Sequence, residues 1–237
     1  MIENKRDLGG MQTVDGKTIK PGLLIRSAQL FQVEEHDLEG ISTIIDLRTT
    51  REREESPDQT YGREYLPMPV FDNVTVGISH ESGTQDQKIP DMACRYGRLM
   101  QKCIDSFRTI LLTIMQRDYS TGGVLWHCTE GKDRCGMITA LILESLDVSR
   151  KTILEDYLKT NLVSMPKAIR IREELLVTHG KEYADSVYQT YIADERYLRA
   201  AWDSMGEDYI QKTLQIPEET INQFKTNVLK AAGDAHH

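Results

Sequence analysis

The chain has 237 residues, 39% of them hydrophobic and 28% charged, with a formal net charge of -8; that length can bury the core of one domain carrying an elaboration. The acidic balance sets a field that repels nucleic acid, anionic membrane and highly negative partners, so any anion site must be built locally. No apolar run is long enough to span a bilayer, and Met1–Gly10 is charged where a signal peptide needs an apolar stretch, so the expectation is a soluble protein with no stable membrane insertion.

In chain order, the first half alternates strand and helix signals. Leu23–Ile25, Ser42–Leu47 and Val124–Trp126 are short, branched and bounded by Gly or charge, as buried parallel strands are. The segment Asp72–Asp91 has no periodicity and is expected to be a long loop. Arg95–Met115 places Leu99, Cys103, Phe107, Ile110, Leu111 and Ile114 at helical steps and predicts one amphipathic helix. Arg134–Leu146 is apolar on nearly every side and predicts the central buried helix.

After Asp147 the signals are helical only. Ser149 caps a helix to about Lys159, and Pro166 is placed to open a charged helix through Val177. Asp194 starts another through Met205, and Pro217 opens a last one toward Lys230. The predicted organisation is a single domain over 1–237. It has an α/β core over 1–148 with a mostly parallel sheet, and a helical extension over 149–237.

The chemistry is concentrated in Val124-Leu-Trp-His-Cys-Thr-Glu-Gly-Lys-Asp-Arg-Cys-Gly136, between a predicted strand and the buried helix. A loop entering a helix N-terminus presents backbone N–H groups that, with the helix dipole, bind a tetrahedral dianion. The candidate cradle is Cys128, Thr129, Glu130, Gly131, Lys132, Asp133 and Arg134, with Gly131 and Gly136 letting the backbone curl. Cys128 lies where that potential stabilises a thiolate, making it a nucleophile. Arg134 offers a planar fork for two phosphoryl oxygens. A lone cysteine is more often a buried structural thiol, but a chance His-Cys-x2-Gly-x2-Arg in a chain this long is expected roughly once in a few thousand. His127 is expected to hold the loop and favour the thiolate without touching substrate.

At this motif the chain resembles the atypical bacterial tyrosine phosphatases with the signature His-Cys-x-x-Gly-Lys-Asp-Arg, a group containing secreted mycobacterial and Listeria enzymes. Asn4-Lys-Arg-Asp-Leu-Gly-Gly10, Ile25-Arg-Ser-Ala28, Ile45-Asp-Leu-Arg48 with Glu52, Glu155-Asp-Tyr-Leu158 with Asn161, and Tyr197-Leu-Arg-Ala-Ala201 are similar to other motifs of that family. The resemblance implies a phosphatase fold, phosphotyrosine proteins as partners, no metal or other cofactor, and a two-step mechanism through phosphocysteine. It also implies a lid over the mouth, here placed at about 164–193.

The mechanism needs a proton donor. The family's acid follows a Leu-Pro-x-Pro strand end; here Leu66-Pro-Met-Pro69 is followed by Val70, and Asp72 is the nearest aspartate. Asp133 matches a loop aspartate that resembles a group orienting Arg134 and the substrate ring, and it is the second candidate. Cys135 stands where most enzymes of this chemistry carry Ser or Thr, and a thiol is the weaker donor to the departing thiolate; a redox role for it is the rarer reading.

Lys132 could meet a second phosphate, which keeps phosphoinositides or inositol phosphates as an alternative substrate class. A phosphoprotein-binding module would be expected to have lost Cys128 or Arg134, and both are present. A zinc set from His127, Cys128 and Cys135 has the wrong spacing, and Gly131-Lys132 lacks the following Ser or Thr of an ATP loop. The four cysteines, Cys94, Cys103, Cys128 and Cys135, have no paired C-x-x-C spacing and read as reduced thiols of a cytoplasmic protein.

Overall fold

The computed structural model describes residues 1–72 and 91–231, and the expected loop at Asp72–Asp91 lies almost wholly outside them. The chain divides into two compact units. The first comprises residues 1–72, 103–153 and 206–237, and the second comprises 73–102 and 154–205.

The first unit is built on a five-stranded sheet of order β1-β3-β6-β4-β5. The strands are β1 (Arg6–Asp7), β3 (Leu24–Ser27), β4 (Ile41–Asp46), β5 (Glu64–Pro67) and β6 (Gly123–His127). β6 lies between β3 and β4 and runs parallel to both, β5 extends the parallel set, and only the short edge strand β1 is antiparallel. This is the mostly parallel α/β architecture expected from the sequence. β3 and β6 are buried along their whole length, as strands covered on both faces must be.

Ser27 and Asp46 both pair in register with His127, so the chain leaves β3, β4 and β6 at one edge. Outside the carboxyl ends of parallel strands is where such sheets bind ligands. A core of Ile25, Leu30, Val33, Leu38, Ile44 and Leu125 packs to one side. A second pair, β2 (Thr18–Ile19) with β7 (Leu229–Lys230), ties the N-terminal segment to the last helix, α9 (Glu218–Val228).

The helix α4 (Asp133–Ser145) follows the loop that carries Cys128 and is buried on nearly every side, as its composition predicts. The run Arg95–Met115 is two helices, α2 (Met92–Lys102) and α3 (Ile104–Met115), interrupted at Cys103 with φ -104° and ψ 29°. Periodicity continues across the break, so the hydrophobic pattern does not reveal it. An additional short helix, α1 (Thr50–Glu55), follows β4.

In the second unit, α2 packs against α8 (Glu195–Ser204). Gly97 permits a close approach there, because a Cβ would meet the Ala200 carbonyl oxygen at 3.3 Å. Helix α5 (Arg150–Leu158) leads from the first unit into the second, and the Tyr96 and Tyr157 hydroxyls share a 2.8 Å hydrogen bond. α6 (Asn161–His179) and α7 (Lys181–Tyr191) pack together as a helical pair over the stretch expected to hold a lid. Pro166 does not open α6: the helix begins at Asn161 and the proline lies inside it. The donor it removes would have served the Leu162 carbonyl, and Leu162 is exposed, so water can take that role. No helix among the described residues is long and apolar enough to cross a membrane.

Candidate active site

The loop between β6 and α4 turns back on itself at Gly131, which has φ +66°. A Cβ there would stand 2.6 Å from the Ser27 carbonyl carbon and oxygen, so only glycine fits. Gly136, expected to help the curl, is instead an ordinary residue inside α4.

Donors outside the loop take its carbonyl oxygens. Gln29 N–H donates to Thr129 O (3.2 Å), Asn4 Nδ2 to Glu130 O (2.9 Å), and Arg26 Nη2 to Gly131 O (2.7 Å). A trans peptide points its N–H opposite to its C=O, so the amides of Glu130, Gly131 and Lys132 turn toward the inside of the loop. That concavity of N–H groups, capped by the N-terminus of α4, has the form of an anion cradle.

Cys128 lies at the base of the cradle, 3% exposed. Burial opposes its ionisation, but the Cys135 thiol, the Arg134 charge and the Cys135 backbone N–H outweigh burial and bring the thiol down to about 6. It is therefore largely thiolate at neutral pH. Cys135, fully buried in the first turn of α4, has its single S–H within reach of Ser27 O (3.5 Å), Trp126 O (3.7 Å) and the Cys128 sulfur. Burial and the neighbouring Cys128 push Cys135 far up, so it stays a thiol.

Arg134 is fixed by a residue the motif does not contain. Glu52 accepts from Nη1 at 2.6 Å and Nη2 at 2.7 Å, while Thr129 Oγ1 donates to the same carboxylate at 2.5 Å. Despite burial, these donors hold Glu52 down to about 2. Arg134 Nε is buried and has no hydrogen-bond partner among the described residues, a donor that a phosphoryl oxygen would satisfy. The Phe71 ring lies 5.5 Å from the guanidinium carbon. Glu52 carries a signal: Thr49 and Glu52 form a capping box at the start of α1, readable as Thr-x-x-Glu.

Both aspartates expected as acids are in the first unit. Asp133 opens α4 close to Cys128 and is nearly covered. The carboxylate of Asp72 is tied to α1, accepting from Thr50 N–H at 2.8 Å and Thr50 Oγ1 at 2.9 Å, and these bonds hold it below the usual aspartate range. Lys132 is fully covered, with its ammonium 3.5 Å from Asp133 Oδ1. His127 is buried, with Nδ1 3.4 Å from the Cys128 carbonyl oxygen.

A tyrosine phosphatase family model matches residues 1–230. The triple specificity protein phosphatase PtpB of Mycobacterium tuberculosis is 27% identical over 96% of this chain and 95% of its own. A tyrosine-protein phosphatase of Nostoc commune is 28% identical over 87% of this chain and 74% of its own. A candidate tyrosine-protein phosphatase of Cupriavidus necator is 29% identical over 68% of this chain, and the match spans 61% of that protein's length. The loop geometry and these likenesses agree: the chain belongs to the tyrosine phosphatase family.

Proposed function

We propose that the protein hydrolyses phosphotyrosine in proteins through a phosphocysteine on Cys128. One observation carries this reading: a thiol brought down to about 6 lies beneath an anion cradle whose clamp, Arg134, is oriented by Glu52 and retains a buried unpartnered Nε. In the first step the thiolate attacks phosphorus, the S–P bond forms, the P–O ester bond breaks, and the leaving oxygen takes a proton from a carboxylic acid. In the second, water attacks phosphorus, its proton passes to that carboxylate, and the S–P bond breaks to restore the thiolate. The N–H groups and Arg134 meet the equatorial oxygens as charge moves.

Asp133 suits the acid role better than Asp72, because Thr50 occupies both oxygens of Asp72 and favours its charged form. Specificity broader than phosphotyrosine is supported by the likeness to the triple specificity protein phosphatase of Mycobacterium tuberculosis. Phosphoinositides are a weaker second class: Lys132, the charge that would meet a second phosphate, is fully covered. Cys128→Ser should abolish turnover yet still bind vanadate, and Arg134→Lys should lose more than tenfold in kcat, above about 1.4 kcal/mol of barrier. Retention of a tenth of the activity by either variant would mean that the nucleophile or the clamp lies elsewhere.

A further inference from the structure

Beneath the phosphate loop four charge-bearing side chains are sealed from water: Asp46 at the end of β4, Arg48 just after it, Asp58 beyond α1, and His127 at the end of β6. Arg48 Nη2 pairs with Asp46 at 2.7 Å and Asp58 at 2.8 Å. Tyr65 Oη on β5 donates to Asp46 Oδ2 at 2.7 Å. The ligand atoms of Asp46, Asp58 and His127 lie within 4.8 Å of one another, but Arg48 already supplies a cation to both carboxylates. With both carboxylates ionised, the single guanidinium leaves one negative charge uncompensated, and His127 is the group placed to balance it.

The ring's surroundings point the same way. Its Nε2 stands 3.0 Å from Asp58 Oδ2 and 3.9 Å from Asp46 Oδ2, and its Nδ1 stands 3.4 Å from the Cys128 carbonyl oxygen. Both nitrogens face acceptors, and a neutral imidazole has only one N–H, so one lone pair would confront an oxygen. Against an ionised Asp58, the doubly protonated ring is the form that suits both sides. The contacts to Asp58 Oδ2 fall outside hydrogen-bond geometry, so charge carries them. Asp58 is itself anchored, its Oδ1 accepting from Leu30 N–H at 2.8 Å.

We propose that Asp58 is a positioning residue of the phosphatase reaction: it keeps His127 doubly protonated, so that the ring grips the Cys128 carbonyl and fixes the nucleophile at the base of the cradle. The proposal rests on the phosphatase reading above. Burial alone would strip the proton from His127, and Asp46 and Asp58 overcome it, raising the ring above its ordinary value.

Asp58→Asn preserves the acceptor for Leu30 and removes the charge. In that variant His127 loses one of the two carboxylates that hold its proton against burial, so it should give that proton up at lower pH than in the wild type, and the loss in kcat/KM should grow with pH. We expect less than about threefold at pH 5.5 and more than about tenfold at pH 8. A loss independent of pH would mean that Asp58 is merely structural and would overturn the proposal. NMR of the histidine-labelled wild type tests it without the variant: one of the six rings should stay an imidazolium across this range. Finding every ring neutral at pH 8 would refute it. That spectrum does not depend on turnover, so a protein with no phosphatase activity but a persistent imidazolium would overturn the functional reading and leave the Asp58–His127 pairing standing.

Discussion

Glu52 reaches the active site from another strand exit and carries a heavy share of its order. Its carboxylate receives Arg134, Thr129 and the α1 cap together, so Arg134 would enter the proposed reaction already oriented instead of being ordered by substrate. Glu52→Gln puts an amide NH2 against a guanidinium donor. We expect kcat/KM to fall between tenfold and a hundredfold, about 1.4 to 2.7 kcal/mol, with weaker vanadate binding; unchanged vanadate affinity would show that the loop alone sets Arg134. Cys135 gives a second prediction. Its S–H and N–H help lower Cys128, so Cys135→Ala should move the acid limb of kcat/KM upward from about pH 6, because less thiolate forms at a given pH. Cys135→Ser should raise turnover if a hydroxyl assists departure of the thiolate from phosphocysteine. If peroxide converts Cys128 to a sulfenic acid, condensation with the Cys135 thiol forms a disulfide and releases water. Thiol recovery after peroxide should then be poorer in Cys135→Ser, and equal recovery in both proteins would eliminate the redox role.

At the level of elements, the phosphate loop was legible because one contiguous stretch holds the strand end, Cys128, Gly131, Arg134 and the helix start. The rest of the site is assembled by topology. Asn4 and Arg26 belong to the β1–β3 side, Glu52 and Asp58 to the segment after β4, and only the central position of β6 draws them to one edge. Strands of two residues such as β1 and β2 give no periodicity to read, and β5 pairs at the sheet edge with mixed exposure. The break at Cys103 and the early start of α6 were hidden for the same reason: tertiary contacts, not local pattern, set helix ends. Asp72 illustrates how placement recasts a residue, since it joins the exit of β5 to the start of α1, the helix that carries Glu52. Asp72→Asn should therefore slow phosphotyrosine and an aryl phosphate with a good leaving group by similar factors, about threefold to tenfold, through loosened Glu52. Asp133→Asn should slow phosphotyrosine much more than the activated ester. Selective loss in Asp72→Asn would return the acid role to Asp72.

Across the whole molecule, the proposed site would attract a dianion inside a chain whose formal charge is -8. The two facts act at different ranges. The cradle works over hydrogen-bond distances, where backbone N–H groups and Arg134 dominate, whereas the net charge acts over the approach of substrate and is screened beyond about 8 Å at physiological ionic strength. A small phosphopeptide carries few charges and meets little repulsion before the local field takes over. A phosphoinositide in an anionic bilayer presents a continuous negative surface, and the protein has to bring its whole acidic surface near it. The buried position of Lys132 removes one cation that would otherwise offset this. We therefore expect kcat/KM for a soluble short-chain phosphoinositide to exceed that for the same headgroup in anionic vesicles by about tenfold at low salt. The ratio should fall toward one as ionic strength rises, because screening relieves the repulsion at the vesicle surface while leaving the cradle largely unaffected. Vesicle hydrolysis that is faster at low salt and slows as salt is added would reveal a basic surface strong enough to override the net charge, and would move phosphoinositides from the second substrate class to the first.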